Sequence, residues 1–343
     1  MAKQRKRVRG HMRLPIDAVI AVTYICNSRC TMCDFWKETR QPTMTLNDYR
    51  KLPKTLRDIN LSGGEPFLHK DIVEIVRVIR EACPKAQITI STNGFLTDQI
   101  VERVQAIRCF YADIGIRISI DGVGAMHERI RRIPNAFDRC RTTLRALKET
   151  GVKNLGVAYT MSSENIDHAT QVYEFAQTEG VQFTDAVVHN SEAFFGGKEN
   201  LRIGSSSVVE SELDIISDAE IRSWHPKRWA RAYFTWGLKR FAVDGVQVCP
   251  SRAGEDFFFL DPFGNVMPSV MHPNSMGNLT EVSSFEELWQ GERAQRARFA
   301  AVAFARPYWM VCTARTAMRR HALRVIAWIL SHKIATLFTK RRR

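Results

Sequence analysis

The sequence predicts an α/β protein built on an incomplete (β/α)6 barrel. Two observations carry this expectation. Six short β-rich apolar runs alternate with helix-length segments before residue 190, the pattern of a parallel sheet with helices outside. Those six units take about 210 residues, short of the roughly 250 of a closed eight-strand barrel. Of the 343 residues, 45% are hydrophobic and 25% charged, so a sizeable core is available.

The strands are expected at 18–24 ("AVIAVTY"), 58–62, 87–91, 115–120, 154–159 and 182–188. Helices are expected near 45–55, 70–82, 97–107, 136–150 and 166–179. The fourth of these, "FDRCRTTLRALKETG", places Leu144 and Leu147 at helical spacing and ends at Gly151, a good C-terminal cap. After residue 190 the pattern changes. Residues 191–211 read as a loop and 224–241 as helix; "VCPSRAGEDFFFLDPFGNVMPSV" then reads as two short strands around a "DPFGN" turn. Four segments result: a basic tail (1–15), the barrel with a helical connector (16–245), a small α+β extension (246–314) and a basic C-terminal helix (315–343).

The net charge of +14 resides at the two ends. Lys3, Arg5, Lys6, Arg7, Arg9 and Arg13 open the chain. Arg315, Arg319, Arg320, Arg324, Lys333, Lys340, Arg341, Arg342 and Arg343 close it, and neither end segment contains an acid. Between them stand 35 basic and 36 acidic residues. This argues against a basic groove through the body and for ends that meet an anionic surface. There is no secretory signal and no apolar run of eighteen residues, so a cytoplasmic protein without a spanning helix is expected. The eight cysteines then read as reduced thiols or metal ligands.

Cys26, Cys30 and Cys33 follow the first strand in "VTYICNSRCTMCDFW". Four thiolates would complete a tetrahedral zinc site. Three close only three irons of a cubane and leave the fourth open to another ligand. The loop after a barrel strand also lies at the face where barrel active sites are built. By itself the triplet leaves a zinc knuckle or three structural thiols as the alternative.

The C-x3-C-x2-C spacing in this place resembles the radical S-adenosylmethionine (SAM) enzymes. That resemblance implies a TIM-like partial barrel, a [4Fe–4S] cluster on Cys26, Cys30 and Cys33, and SAM on the open iron. Reductive cleavage of SAM would then give a 5′-deoxyadenosyl radical that abstracts hydrogen from a substrate. Four more segments match in order, each at a strand end. "SGGEP" supplies Gly63, Gly64 and Glu65 for the SAM amino group. "STNG" supplies Asn93 for a ribose or carboxylate, and "SIDG" supplies Ser119 and Asp121. In "IRRIPNAF", Arg131 stands where relatives place an arginine on the SAM carboxylate. Val157 and Tyr159 of the fifth strand would flank the adenine. Two positions depart from the family pattern: Met32 replaces an aromatic residue before the third cysteine, and Arg132 replaces a frequent glycine.

The extension resembles the SPASM or twitch modules that carry auxiliary clusters, but Ser269 and Tyr308 stand where cysteines would ligate. With only Cys249 and Cys312 left, an auxiliary cluster is not expected. Cys83, Cys109 and Cys140 read as small buried hydrophobes in or beside helices. Residues 316–343 contain no Gly or Pro and read as a basic apolar helix, with Trp328 and Phe338 available to a lipid interface. Packing on the barrel and RNA contact are the competing readings, and lipid is favoured over nucleic acid. The expectation is therefore a radical SAM enzyme with a reducing electron donor, peripheral to the inner face of the membrane, acting on a membrane-proximal or lipid-linked substrate. A SPASM-type peptide or protein maturase and a non-catalytic zinc-stabilised scaffold are the alternatives.

Overall fold

The structure, a computed structural model, describes residues 12–204, 206–304 and 306–339, with side chains to residue 336. The basic residues before Arg13, the 340–343 run and the Phe338 side chain lie outside the described residues.

Nine strands form one open sheet in the order β6-β5-β4-β3-β2-β1-β7-β8-β9. The first six are β1 (Asp17–Thr23), β2 (Asp58–Gly63), β3 (Gln87–Thr92), β4 (Gly115–Ser119), β5 (Asn154–Met161) and β6 (Gln182–Val187). They run parallel, each where the sequence predicts it. The crossovers carry α1 (Leu46–Arg50), α2 (Ile72–Ala82), α3 (Thr97–Arg108), α4 (Ala125–Arg131) with α5 (Ala136–Glu149), and α6 (Ala169–Thr178). Successive strand residues point to opposite faces. Ile59, Leu61, Ile88, Ile90, Ile116 and Ile118 are buried in the main core, while Asn60, Thr89, Ser91, Arg117 and Ser119 between them line a cavity. A barrel interior is ordinarily filled by branched apolar side chains; this one leaves a cavity lined by polar and apolar side chains together.

Helix α5 buries Phe137, Cys140, Leu144 and Leu147 on one face, and Gly151 follows it at φ +80°, as the capping pattern predicts. The stretch read as a loop after residue 190 departs from expectation. It contains α7 (Glu192–Phe195) and the start of α8 (Ser207–Arg222). The run of serines disguised a capped helix: the Ser206 hydroxyl accepts from the Val209 N–H, and Val209, Leu213 and Ile216 repeat at helical spacing into the core. Helix α9 (Pro226–Asp244) begins with proline in its first turn and ends at Gly245 in the left-handed conformation.

Beyond the expected boundary near 245, β7 (Phe257–Leu260) and β8 (Asn265–Met267) form the hairpin predicted around "DPFGN". The Asp261 carboxylate accepts from the Phe263 and Asn265 N–H groups and fixes that turn. Strand β7 pairs in parallel with β1, Asp17 opposite Phe257, so the sheet runs across the boundary without a break. Strand β9 (Gly277–Asn278) and helices α10 (Phe285–Gln290) and α11 (Glu292–Ala303) complete this part.

The C-terminal segment forms two helices, α12 (Val311–Arg320) and α13 (Ala322–Thr339), where one was expected. Three of the cations assigned to an anionic surface are used inside the molecule. Arg315 meets Asp17 at 2.9 Å and Asp58 at 2.7 Å, Arg319 meets Asp58 at 2.8 Å, and Arg320 pairs with Asp256. These aspartates begin or precede β1, β2 and β7, so α12 seals the floor of the barrel. Helix α13 packs Val325, Trp328 and Ile329 on the core, with Trp328 edge-on to Tyr233 at 5.3 Å. Its outward face is apolar as well: Leu323, Ile326, Leu330 and Ile334 are 50–85% exposed at spacings of three and four. No helix among the described residues is long and apolar enough to cross a membrane.

Candidate active site

The cysteine loop is held from three sides. The Gly64 N–H donates to Thr23 O at 2.7 Å and the Glu65 N–H to Ile25 O at 2.9 Å, lacing the ends of β1 and β2 together. The Thr31 N–H donates to Ile130 O and the Arg29 N–H to Arg131 O, so the loop satisfies carbonyls at the C-terminal end of α4. The Asp34 N–H donates to Phe195 O of α7. The two glycines are a steric necessity. A Cβ at Gly63 would lie 2.0 Å from Thr23 O, and one at Gly64 would lie 2.3 Å from Ile25 O, the residue before the first cysteine.

Cys26, Cys30 and Cys33 line one cavity of about 360 Å³. Each sulfur has a polar neighbour. The Ser28 N–H donates to Cys26 Sγ (3.4 Å), the Phe35 N–H to Cys33 Sγ (3.5 Å), and Arg131 Nη1 to Cys30 Sγ (3.6 Å). Ser28 Oγ lies 3.1 Å from Cys30 Sγ. Donors aimed at sulfur suit thiolates and iron–sulfur ligands. Among the described residues, no three His, Cys, Asp or Glu side chains are grouped to hold a single metal ion. Burial pushes the Cys26 and Cys33 thiols up to about 12, so loading a metal must displace protons from them.

The cavity wall also includes Gly63, Gly64, Asn93, Ser119 and Arg131. Asn93 Nδ2 donates to Asn27 Oδ1 at 2.6 Å and lies 4.0 Å from Cys26 Sγ. Arg131 pairs with the fully buried Asp121 at 2.6 Å, and its Nε is buried without a partner among the described residues. Burial would lower the Arg131 pKa, but Asp121 and the neighbouring thiols outweigh it and hold the guanidinium charged. One unsatisfied donor on a fixed cation, beside the cysteines, fits a carboxylate such as that of SAM. Asp121, expected in the mouth with Ser119, is instead a positioning residue; its other oxygen accepts from the Thr160 N–H at 2.9 Å.

Glu65 also has a different place from the one expected. It is fully buried, off the cavity wall, and accepts from the Phe67 N–H (3.0 Å), the Asn93 N–H (2.7 Å) and the Thr92 hydroxyl (2.9 Å). It therefore clamps the end of β3, and with it Asn93, to the glycine turn. Burial raises its carboxyl to about 7 against those three donors. Val157 faces the outer core and is not turned toward an adenine, whereas Tyr159 lies on the cavity wall with its hydroxyl donating to Asn165 O. Met32 packs with Ile130, Val188 and Phe195. Arg132 adopts φ +53°, the conformation a glycine takes most easily, so the turn survives the substitution.

The two cysteines of the extension are in different surroundings. Cys249 packs in the main core with its sulfur 3.3 Å from the Tyr233 hydroxyl, whereas Cys312 lies on the cavity wall. Ser269 Oγ is 2.7 Å from His272 Nδ1, and that imidazole is edge-on to Phe304 and Tyr308. Cys83 and Cys140 are buried as expected, but Cys109 is exposed, because it caps α3 on the solvent side. Among the cavity residues that sequence reasoning missed are Arg117, Asp185 and His189, and it did not place Cys312 in this cavity. Only alternation along β4 signals Arg117, and no local motif marks the others. His189 sits beside Phe194 and Phe195; burial lowers its pKa to about 4, so its imidazole is neutral.

Residues 20–176 match the family described as the Radical SAM superfamily. The chain is 24% identical over 300 residues to the AdoMet-dependent heme synthase of Methanosarcina barkeri, covering 79% of this chain and 81% of that one. It is 29% identical over 307 residues to the pre-heme d1 synthase of Dinoroseobacter shibae, covering 79% and 72%. Among solved structures, SuiB of Streptococcus suis bound to S-adenosylmethionine superposes with a TM-score of 0.64 at 15% identity, covering 88% and 72%.

Proposed function

Given that the chain is a radical SAM superfamily enzyme, with that domain over residues 20–176, we propose that Cys26, Cys30 and Cys33 hold a [4Fe–4S] cluster and that Gly63, Gly64, Asn93, Ser119 and Arg131 seat SAM beside it. Glu65 acts on SAM indirectly, by fixing Asn93 and the glycine turn. When bound and reduced, the pair supplies a 5′-deoxyadenosyl radical for hydrogen abstraction. The chain's own residues do the rest. Arg131 offers its unpartnered Nε to the cofactor carboxylate, Asp121 keeps that guanidinium charged, and the loop–α4 contacts hold the three sulfurs. The open barrel interior receives the substrate, and its protein walls separate the reaction from bulk water. The observation that carries the reading is one cavity shared by three sulfur-directed donor sets, the glycine turn and Arg131. The test is anaerobic reconstitution with iron and sulfide, then SAM and dithionite, with chromatography for 5′-deoxyadenosine. Nucleoside release must require all three cysteines; release that persists in the triple alanine variant refutes the assignment. Zinc in a colourless protein would return the scaffold reading.

We further propose that the enzyme works at an anionic lipid surface and acts on a membrane-proximal substrate. The outward stripe Leu323, Ile326, Leu330 and Ile334, with Trp224 83% exposed, supports this. Removing residues 316–343 would also remove the Arg319 and Arg320 ion pairs, so substitution is the cleaner probe. Changing the four stripe residues to Ser should abolish flotation with phosphatidylglycerol vesicles while leaving folding intact; unchanged flotation removes the lipid reading. A peptide substrate is the second reading, supported only by the fold shared with SuiB. Adding lipid extracts or peptides to the nucleoside assay separates the two.

A further inference from the structure

We propose that the floor of the reaction cavity is an oxyanion subsite, in which Arg117 receives a carboxylate or phosphate group of the substrate. The inference deepens the functional reading and rests on this cavity being the reaction chamber. Arg117 projects from the inner face of β4 into the cavity that holds the three cysteines. Its Nη1 donates to Ile116 O and Asn154 O at 3.0 Å each; its Nη2 donates to Asn154 Oδ1 at 2.9 Å and Gln182 Oε1 at 3.1 Å. All four acceptors are neutral. They fix the guanidinium but do not balance its charge. Among the described residues no carboxylate pairs with Arg117, and no acceptor meets its Nε.

The neighbouring charges sharpen the imbalance. Arg231 donates to the same Gln182 Oε1 at 2.6 Å, and Arg315 shares the cavity wall. Both have acids of their own: Arg315 has Asp17 and Asp58, and Arg231 lies near Glu220 and Asp185. The Asp185 carboxylate is engaged by the Thr235 hydroxyl at 2.8 Å. Among the described residues no acid is paired with Arg117; burial, then Arg231 and Arg315, lower its pKa to about 10. Arg117 is half-buried, and an oxyanion bound to a partly desolvated cation that lacks a counter-ion gains a charge-assisted hydrogen bond.

The space around this group is cleared by glycines. A Cβ at Gly156 would lie 3.1 Å from Arg117 Cδ and 2.7 Å from Gln182 O. A Cβ at Gly115 would lie 2.7 Å from both Asn154 Nδ2 and Thr89 Oγ1. Two strand positions are thus kept bare where the arginine and its Asn154 clamp must lie. With the cysteines at the strand C-terminal ends, a substrate anchored by its anion at Arg117 would present its other end to the radical.

The full-length protein, Arg117→Gln and Gln182→Glu are melted in inorganic phosphate and in acetate, against chloride at equal ionic strength. Wild type should show a saturable rise in Tm, about 3–4 °C at a hundredfold excess over Kd for a chain of this length. Arg117→Gln should show none. Gln182→Glu sets a carboxylate against Arg117 and Arg231; it should melt higher than wild type without added anion and lose the response. A response to phosphate only, or to acetate also, distinguishes the two oxyanion classes. Equal responses in wild type and Arg117→Gln, or a lower Tm in Gln182→Glu, overturn the subsite. If Arg117→Gln does not fold, Gln182→Glu decides. The readout needs no SAM cleavage, so failure here leaves the radical SAM reading standing, and failure of nucleoside release leaves this result intact.

Discussion

Removing Asp121 should uncouple Arg131 from the site without touching the cysteines. The pair is 2.6 Å apart and Asp121 is fully buried. Taking one partner from a buried ion pair leaves the other charge uncompensated and costs about 3–5 kcal/mol. Asp121→Ala also strands the Thr160 N–H, which Asp121 accepts at 2.9 Å; an orphaned buried donor costs about 1–3 kcal/mol more. Asp121→Asn can keep that bond and loses only the charge. The entropy of unfolding at about 2.1 cal/mol/K per residue sums to about 0.7 kcal/mol/K for this chain, so Asp121→Asn should melt about 4–7 °C low and Asp121→Ala lower still. Differential scanning fluorimetry measures both. The double variant Asp121→Ala with Arg131→Met should recover part of the loss, because the unpaired cation is gone. If Asp121→Asn melts within about 1 °C of wild type, or if the double variant equals the sum of the single losses, the two groups are not a coupled pair and the reasoning fails.

Gly64→Ala forces Ile25 O away from a Cβ that would stand 2.3 Å from it; overpacking of this kind costs about 1–3 kcal/mol. Since Ile25 precedes Cys26, iron content after reconstitution should also fall, and normal iron would show that the loop tolerates the shift. Glu65 predicts a pH dependence. Its folded value is raised from 4.5 to about 7, so the folded chain holds the proton more tightly than the unfolded one. That contribution to stability is complete below about 4.5 and lost as pH rises through about 7. Tm should therefore decline over this interval, and Glu65→Gln should flatten the decline; an unchanged slope removes Glu65 as its source. Arg315→Met leaves Asp17 buried without its ion pair and should lower Tm by several degrees, about 4–7 °C for a buried pair broken on one side; a shift below 1 °C would mean that the Arg315–Asp17 pair does not stabilise the floor.

The six barrel strands and their long helices were legible because each is a local pattern: alternation along "QITIST", or Leu144 and Leu147 facing the core. The cysteine triplet, the glycine turn and Arg131 were legible because short motifs carry them. What sequence hid depends on long-range contact. Nothing local marks "FFFL" as a partner of β1, because its pairing residue lies about 240 positions earlier. The charge of Arg315, Arg319 and Arg320 suggested an external surface, yet their acids stand at the starts of distant strands. Glu65 carries the residue type expected of a ligand, and only its three donors show that its carboxylate is already engaged. Arg117 was unremarkable until the absence of an acid around it could be seen.

Strand β1 is flanked by β2 on one side and β7 on the other. During synthesis its second edge has no neighbour until Phe257–Leu260 leave the ribosome, and the acidic floor has no cations until Arg315 follows. The earliest strand of the sheet in chain order is thus among the last to be finished. Such a chain should fold late and slowly, and its nascent edge is where self-association would begin.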